Sequence, residues 1–100
     1  KDNLEALVAR HVETGATRVI PVEGVFVYVG MVPMNAWLPA SLNQDGGGFV
    51  ITDAEMATNL PGIFAAGDIR SKHCRQVSSA VGDGATAATA ALAYLEHLDA

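Results

Sequence analysis

Thiols are almost missing from this chain: Cys74 is its single cysteine. That excludes an internal disulfide, a Cys-x-x-Cys redox pair and a thiolate-rich zinc site within these residues, and no metal site is expected. Positive charge is also scarce. Six Lys and Arg stand against eleven Asp and Glu, for a net charge of -5, and no basic cluster offers the electrostatic footprint of a nucleic-acid binder. No apolar run approaches the roughly 18 residues of a membrane-span candidate. A charged leader with an apolar stretch and a cleavage site is absent too, so the expectation is a cytoplasmic protein with no membrane partner. An initiator Met is missing as well: Lys1-Asp2-Asn3 runs straight into Leu4-Glu5-Ala6-Leu7-Val8, which reads as a chain entered midway.

What is present suits a core-forming globular chain. Half of the 100 residues are hydrophobic and 17% are charged, one domain's worth of sequence or less. Between Leu4 and Val22 the turn signal Glu13-Thr14-Gly15-Ala16 separates an apolar run from the β-branched Arg18-Val19-Ile20-Pro21-Val22, which predicts a β-hairpin. Pro21 cannot donate to a ladder and belongs at a strand end or sheet edge. Val25-Phe26-Val27-Tyr28-Val29 is continuous rather than alternating, the pattern of a central strand covered on both faces. Pro33 disfavours the α region at Val32 and makes residues 31–35 a turn or loop. Met31, Met34 and Trp37 read as a core cluster. Leu42 through Gly48 is a glycine-rich surface loop, and Phe49-Val50-Ile51-Thr52 is a short strand. The one strong helix runs from about Arg75 to Leu98, rich in alanine, the best helix former. Gly82 and Gly84 would each cost about 1 kcal/mol in its interior, which points to close packing as their reason.

The chemistry concentrates in two places. Thr58 to Asp68 reads T-N-L-P-G-I-F-A-A-G-D: the turn pair Pro61-Gly62 launches an apolar run, Ile63 to Ala66, which delivers Gly67-Asp68 at its end. A glycine leaves room for a ligand, and a carboxylate beside it can accept hydrogen bonds from sugar or polyol hydroxyls, as an acidic residue does in dinucleotide folds. Standing alone, Gly-Asp is a common turn. The second place is the helix start at Arg75-Gln76-Val77, where free backbone N–H groups suit an anion or a partly negative carbonyl such as that of a reduced flavin. By itself Arg75 is better read as a surface charge.

Other features are weaker. Gly82-Asp83-Gly84-Ala85-Thr86-Ala87 satisfies G-x-G-x-x-A, but residues 76–81 make a poor strand and no βαβ unit can follow. His73-Cys74 are adjacent, which seldom brings imidazole and thiol within hydrogen-bonding distance, and no orienting Asn or Asp is identifiable. His11 and His97 suit solvated or packing roles.

Taken in order, these segments resemble the C-terminal portion of the bacterial low-molecular-weight thioredoxin reductases and their relatives among the FAD-dependent pyridine nucleotide-disulfide oxidoreductases. Thr58-x-x-Pro61-Gly62-Ile63-Phe64-Ala65-Ala66-Gly67-Asp68 looks like that family's second FAD motif. Arg75-Gln76 resembles the pair that opens its last helix, Gly82-Asp83-Gly84 its glycine pair, and Val25 to Gly30 with Pro33 its crossover strand. The resemblance covers most of residues 23–100.

It implies an α/β fold: residues 23–100 as the C-terminal segment of a discontinuous, Rossmann-like FAD-binding domain with a long Ala-rich C-terminal helix, and residues 1–22 as the terminal β-hairpin of an NADPH-binding domain. It implies FAD as cofactor, with Asp68 at its ribityl chain or adjoining phosphate, the backbone around Gln76 and Val77 at the isoalloxazine C2 carbonyl, and Gly67 and Arg75 also among the cofactor-binding residues. No catalytic residue is expected here, since the NADPH fingerprint and the redox Cys-x-x-Cys would lie upstream. The partners implied are a thioredoxin-like redox protein, the remaining FAD and NADPH domains, and a second copy in a homodimer. Because the catalytic thiols are missing, a thiol-free flavin reductase of the ferredoxin-NADP reductase type remains an alternative, as does a non-catalytic binding or assembly module.

Overall fold

The computed structural model describes residues 3–99, so the Lys1-Asp2 start and Ala100 lie outside the described residues. The chain divides into two compact units, Lys1–Gly30 and Met31–Ala100.

The first unit is the expected hairpin. Strand β1 (Ala6–Arg10) pairs antiparallel with β2 (Thr17–Pro21), with Leu7 opposite Ile20 and Val8 opposite Val19. The connecting turn closes through the His11 amide on the Ala16 carbonyl at 2.8 Å and the Gly15 amide on the His11 carbonyl at 2.9 Å. Gly15 has φ +73°, a left-handed conformation that a Cβ would disfavour. The His11 ring helps, accepting the Glu13 and Thr14 amides on Nδ1, both at 3.3 Å. Pro21 ends β2, where its missing N–H costs no rung.

The strand expected at Val25–Val29 does not form. Among the described residues no ladder partner meets it, and Phe26 and Val29 are 84% and 94% exposed. The residues keep a strand's alternation: the Phe26 and Tyr28 rings stack with centroids 6.4 Å apart, as side chains two apart on one face of an extended chain do. What they lack is a neighbour to pair with.

The second unit packs irregular chain against one helix. Its innermost side chains are Val50, 1% exposed, with Leu42 and Met56. Leu42 therefore departs from the surface loop assigned to it and anchors that loop inward. The loop itself is tied down by the Asp45 carboxylate, which accepts the Gly47 and Phe49 amides at 2.9 and 3.0 Å, and by Asn35 Nδ2, which donates to Gln44 Oε1 and the Gly48 carbonyl, both at 2.8 Å. The methionine and tryptophan cluster is corrected: Met31, Met34 and Trp37 are all exposed, and the indole N–H donates to the Met34 carbonyl at 2.9 Å.

Neither short strand of this unit is continuous. Val50 makes single rungs with Gln44 and Arg70, and Phe64 makes one with Ala57. Left-handed residues interrupt the runs, namely Met56 at φ 64°, Gly62 at φ 78° and Gly67 at φ 80°. Leu38, Leu42, Val50, Ile63 and Phe64 line an open apolar hollow of about 530 Å³.

The long helix α1 spans Val77–Leu98 and begins two residues later than expected, because Gln76 is its extended N-cap at φ -134°. Tyr94 on α1 packs edge-on against Phe64, with centroids 6.2 Å apart. It also lies so close to Gly62 that a Cβ there would stand 3.3 Å from its ring. No helix among the described residues is long and apolar enough to cross a membrane.

Candidate functional site

The apolar run from Ile63 ends at Gly67–Ile69, a single 3-10 turn. Glycine is required at its first position by the left-handed φ of +80°. A Cβ there would meet only the Ala80 methyl on α1, at 3.6 Å, so the turn lies directly on the first turns of the helix. Asp68 follows, partly buried. Its Oδ1 is out of contact with solvent and has no hydrogen-bond donor among the described residues.

The four carbonyls of residues 67–70 all accept hydrogen bonds. The Gly67 carbonyl accepts the Arg70 amide at 3.1 Å, and that of Ile69 accepts the Val50 amide at 2.9 Å. The Asp68 and Arg70 carbonyls accept from the Arg75 guanidinium, Nε at 3.2 Å and Nη2 at 3.1 Å. The face of that guanidinium lies 3.8 Å from the centre of the Phe49 ring, a cation–π contact. Arg75 is therefore a strap between the aspartate turn and the approach to α1.

The helix start lies at the end of that strap. The Gln76 amide donates to Ser79 Oγ at 3.3 Å, and Ser79 Oγ lies within reach of the Cys74 and Gln76 carbonyls at 3.1 and 2.9 Å. A helix leaves its first amides without intrahelical acceptors, and for those of Val77 and Ser78 no acceptor occurs among the described residues. Together they give a partly positive terminus, favourable to an anion or a carbonyl oxygen by about 0.3–1 kcal/mol. The structure thus brings Gly67, Asp68, Arg75, Gln76 and Val77 into one neighbourhood, with an acceptor at one end and donors at the other.

Sequence reasoning missed Asp83. Its carboxylate on α1 accepts the Gly67 amide at 3.0 Å and pairs with Lys72 at 2.7 Å and Arg70 at 2.9 Å, each side chain being 12% exposed. The Lys72 hydrogen bond, reinforced by Arg70 and the Gly67 amide and opposed by burial, lowers its pKa to about 2. The signal was there in a carboxylate flanked by glycines, downstream of Arg70 and Lys72, but nothing in one dimension pairs them. The Asp45 carboxyl is also held low, first by Ser71 and then by the Phe49 amide.

The glycine pair around Asp83 does not explain itself by packing: a Cβ at Gly82 or Gly84 would meet nothing within 4 Å, against the close approach expected there. The G-x-G-x-x-A stretch lies wholly inside α1, as a chance match would. Cys74 is exposed with a free thiol, and no hydrogen bond joins it to His73. Among the described residues no group of His, Cys, Asp or Glu could hold a metal ion.

Residues 1–84 match the family model described as pyridine nucleotide-disulphide oxidoreductase. The thioredoxin reductase of Listeria monocytogenes is 51% identical over 85 residues, 84% of this chain and 26% of that protein. That of Treponema pallidum is 44% identical over 95 residues, 95% of this chain and 31% of that one. Among solved structures, thioredoxin reductase from Streptococcus pyogenes superposes with a TM-score of 0.74 at 41% identity, over 95% of this chain and 31% of that chain. The Lactococcus lactis enzyme gives 0.72 at 41% identity, over 93% and 31%. The chain therefore spans between about a quarter and a third of the length of these relatives. With the family model matched over residues 1–84, the chain belongs to the pyridine nucleotide-disulphide oxidoreductase family.

Proposed function

We propose that this chain is the flavin-binding C-terminal part of an NADPH-dependent thioredoxin-disulfide reductase. Residues 1–22 close an NADPH-binding domain in this reading, and residues 23–100 complete a discontinuous FAD-binding domain. The complete protein would act on a thioredoxin-like redox protein as a homodimer.

The observation that carries the reading is the Asp68 Oδ1 atom, sealed from solvent and without a donor among the described residues. A carboxylate oxygen in that condition is costly, and the hydroxyls of a ribityl chain are donors of the right kind. Gly67 adds no side chain beside that carboxylate. At the other end of the Arg75 strap, the Val77 amide is the freer donor for the isoalloxazine C2 carbonyl, because the Gln76 amide already shares Ser79 Oγ at 3.3 Å. Arg75 acts through its side chain by tying the Asp68 carbonyl to the helix approach. FAD, when bound, supplies the two-electron relay between NADPH and a disulfide. That the relatives from Listeria monocytogenes, Treponema pallidum and Streptococcus pyogenes are thioredoxin reductases supports that choice within the family.

In the complete protein Asp68→Ala should lower flavin occupancy after extensive dialysis, read as the ratio of flavin to protein absorbance. Occupancy equal to that of the wild type would contradict the reading.

A further inference from the structure

We infer that Asp83 is the positioning residue of the cofactor-binding turn: from helix α1, its carboxylate holds Gly67–Ile69 in the shape that presents Asp68 to FAD. This rests on the flavin reading above and extends it to a residue that touches no cofactor.

The turn has few supports of its own. Three residues of 3-10 helix contain little internal hydrogen bonding, and Gly67 is the residue with the most backbone freedom to lose. Its carbonyls are held by Arg75, by the Val50 amide and by the Arg70 amide. Its leading amide is held from one place only: the Gly67 N–H donates to Asp83 Oδ2 at 3.0 Å. That bond fixes the Ala66–Gly67 peptide plane, one residue ahead of Asp68, from which the turn that carries the Asp68 side chain starts.

The carboxylate that accepts it is itself immobilised. Lys72 Nζ reaches the same Oδ2 at 2.7 Å and also Ser79 Oγ at 3.2 Å, while Arg70 Nη1 holds Oδ1 at 2.9 Å. Arg70 is in turn fixed by its Nε on Thr52 Oγ1 at 2.7 Å. A half-buried carboxylate with two cations and one amide on its two oxygens has little freedom to rotate. Charge-assisted hydrogen bonds of this kind are roughly twice as strong as neutral ones. Ala80 completes the arrangement, its methyl being small enough for Gly67 to lie on the helix.

The test measures FAD release from the complete flavoprotein, followed by the recovery of flavin fluorescence on dilution, alongside the thermal midpoint of each apoprotein. Asp83→Asn keeps the shape of the side chain and removes its charge, whereas Asp83→Glu keeps the charge and displaces the oxygens by one methylene. Both should release FAD about 10-fold faster than wild type or more, the scale of losing a hydrogen bond to a charged group. Thr52→Val loosens Arg70 but leaves the Gly67 amide its acceptor, and should release FAD faster than wild type but clearly more slowly than the Asp83 variants. If Thr52→Val releases FAD as fast as the Asp83 variants, Asp83 is merely structural and the inference is overturned. It is also overturned, with the flavin reading intact, if the Asp83 variants retain FAD like wild type while Asp68→Ala loses it. Retention by Asp68→Ala would overturn both. Should Asp83→Asn fail to fold, Asp83→Glu decides, because the ion pairs that stabilise the fold keep their charge.

Discussion

Asp83 shows how one side chain couples stability to pH. Its folded pKa lies at about 2 against an ordinary 3.8, chiefly through the Lys72 hydrogen bond. A depressed carboxyl stabilises the fold above its unfolded pKa and loses that contribution as pH falls through the folded one. The urea midpoint of the wild type should therefore drop more steeply between about pH 4 and pH 2 than that of Asp83→Asn; parallel curves would contradict the assignment. Arg75 makes a different prediction. Lysine cannot reproduce a planar fork on two carbonyls and a stacked aromatic face, so Arg75→Lys should destabilise by about 1–2 kcal/mol in chemical denaturation. Gly67 and Asp68 were legible from the sequence because a Pro-Gly turn and a short apolar run lead to them. Arg75 was legible as a position and not as a strap, since the carbonyls it binds belong to residues 68 and 70. Asp83 was legible only as a carboxylate between two glycines, because its partners come together only when the turn lies across the helix.

At the level of elements, local chemistry succeeded where the element satisfies itself. The β1–β2 hairpin carries its own turn signal and pairs with its own sequence neighbour, and α1 makes its hydrogen bonds internally; both stand where the pattern placed them, α1 starting two residues late. The segments 25–29, 49–52 and 63–66 had the composition of strands, but a strand is a relation between segments, and here they reach single rungs or none. The glycines of the second unit separate into two kinds. At Gly62 φ is +78°, and an added Cβ would stand 3.3 Å from the Tyr94 ring, so Gly62→Ala should destabilise by about 1–2 kcal/mol. Gly84 is helical with no neighbour within 4 Å of its Cβ position, so Gly84→Ala should stabilise by about 0.5–1 kcal/mol, read as a raised thermal midpoint. A lowered midpoint would reveal a close neighbour contributed from beyond this chain.

At the scale of the whole molecule, much apolar surface is unpaired among the described residues. Phe26, Val27, Tyr28 and Val29 stand exposed in the first unit, and Leu92, Leu95 and Leu98 along α1 in the second, consistent with a chain that spans 31% of the length of the reductases it superposes on. The second unit contributes an acceptor, Asp68, and a set of donors at the start of α1, joined by Arg75 and braced by Asp83. The most direct test of that division of labour is amide hydrogen exchange in the complete protein, compared between the apoprotein and the FAD-saturated form. Binding should slow exchange at residues 67–70 and at Val77 and Ser78, while leaving β1 and β2 unchanged. Unaltered exchange at Val77, Ser78 and the 67–70 turn on flavin binding would contradict the assignment of this chain as the holder of the flavin.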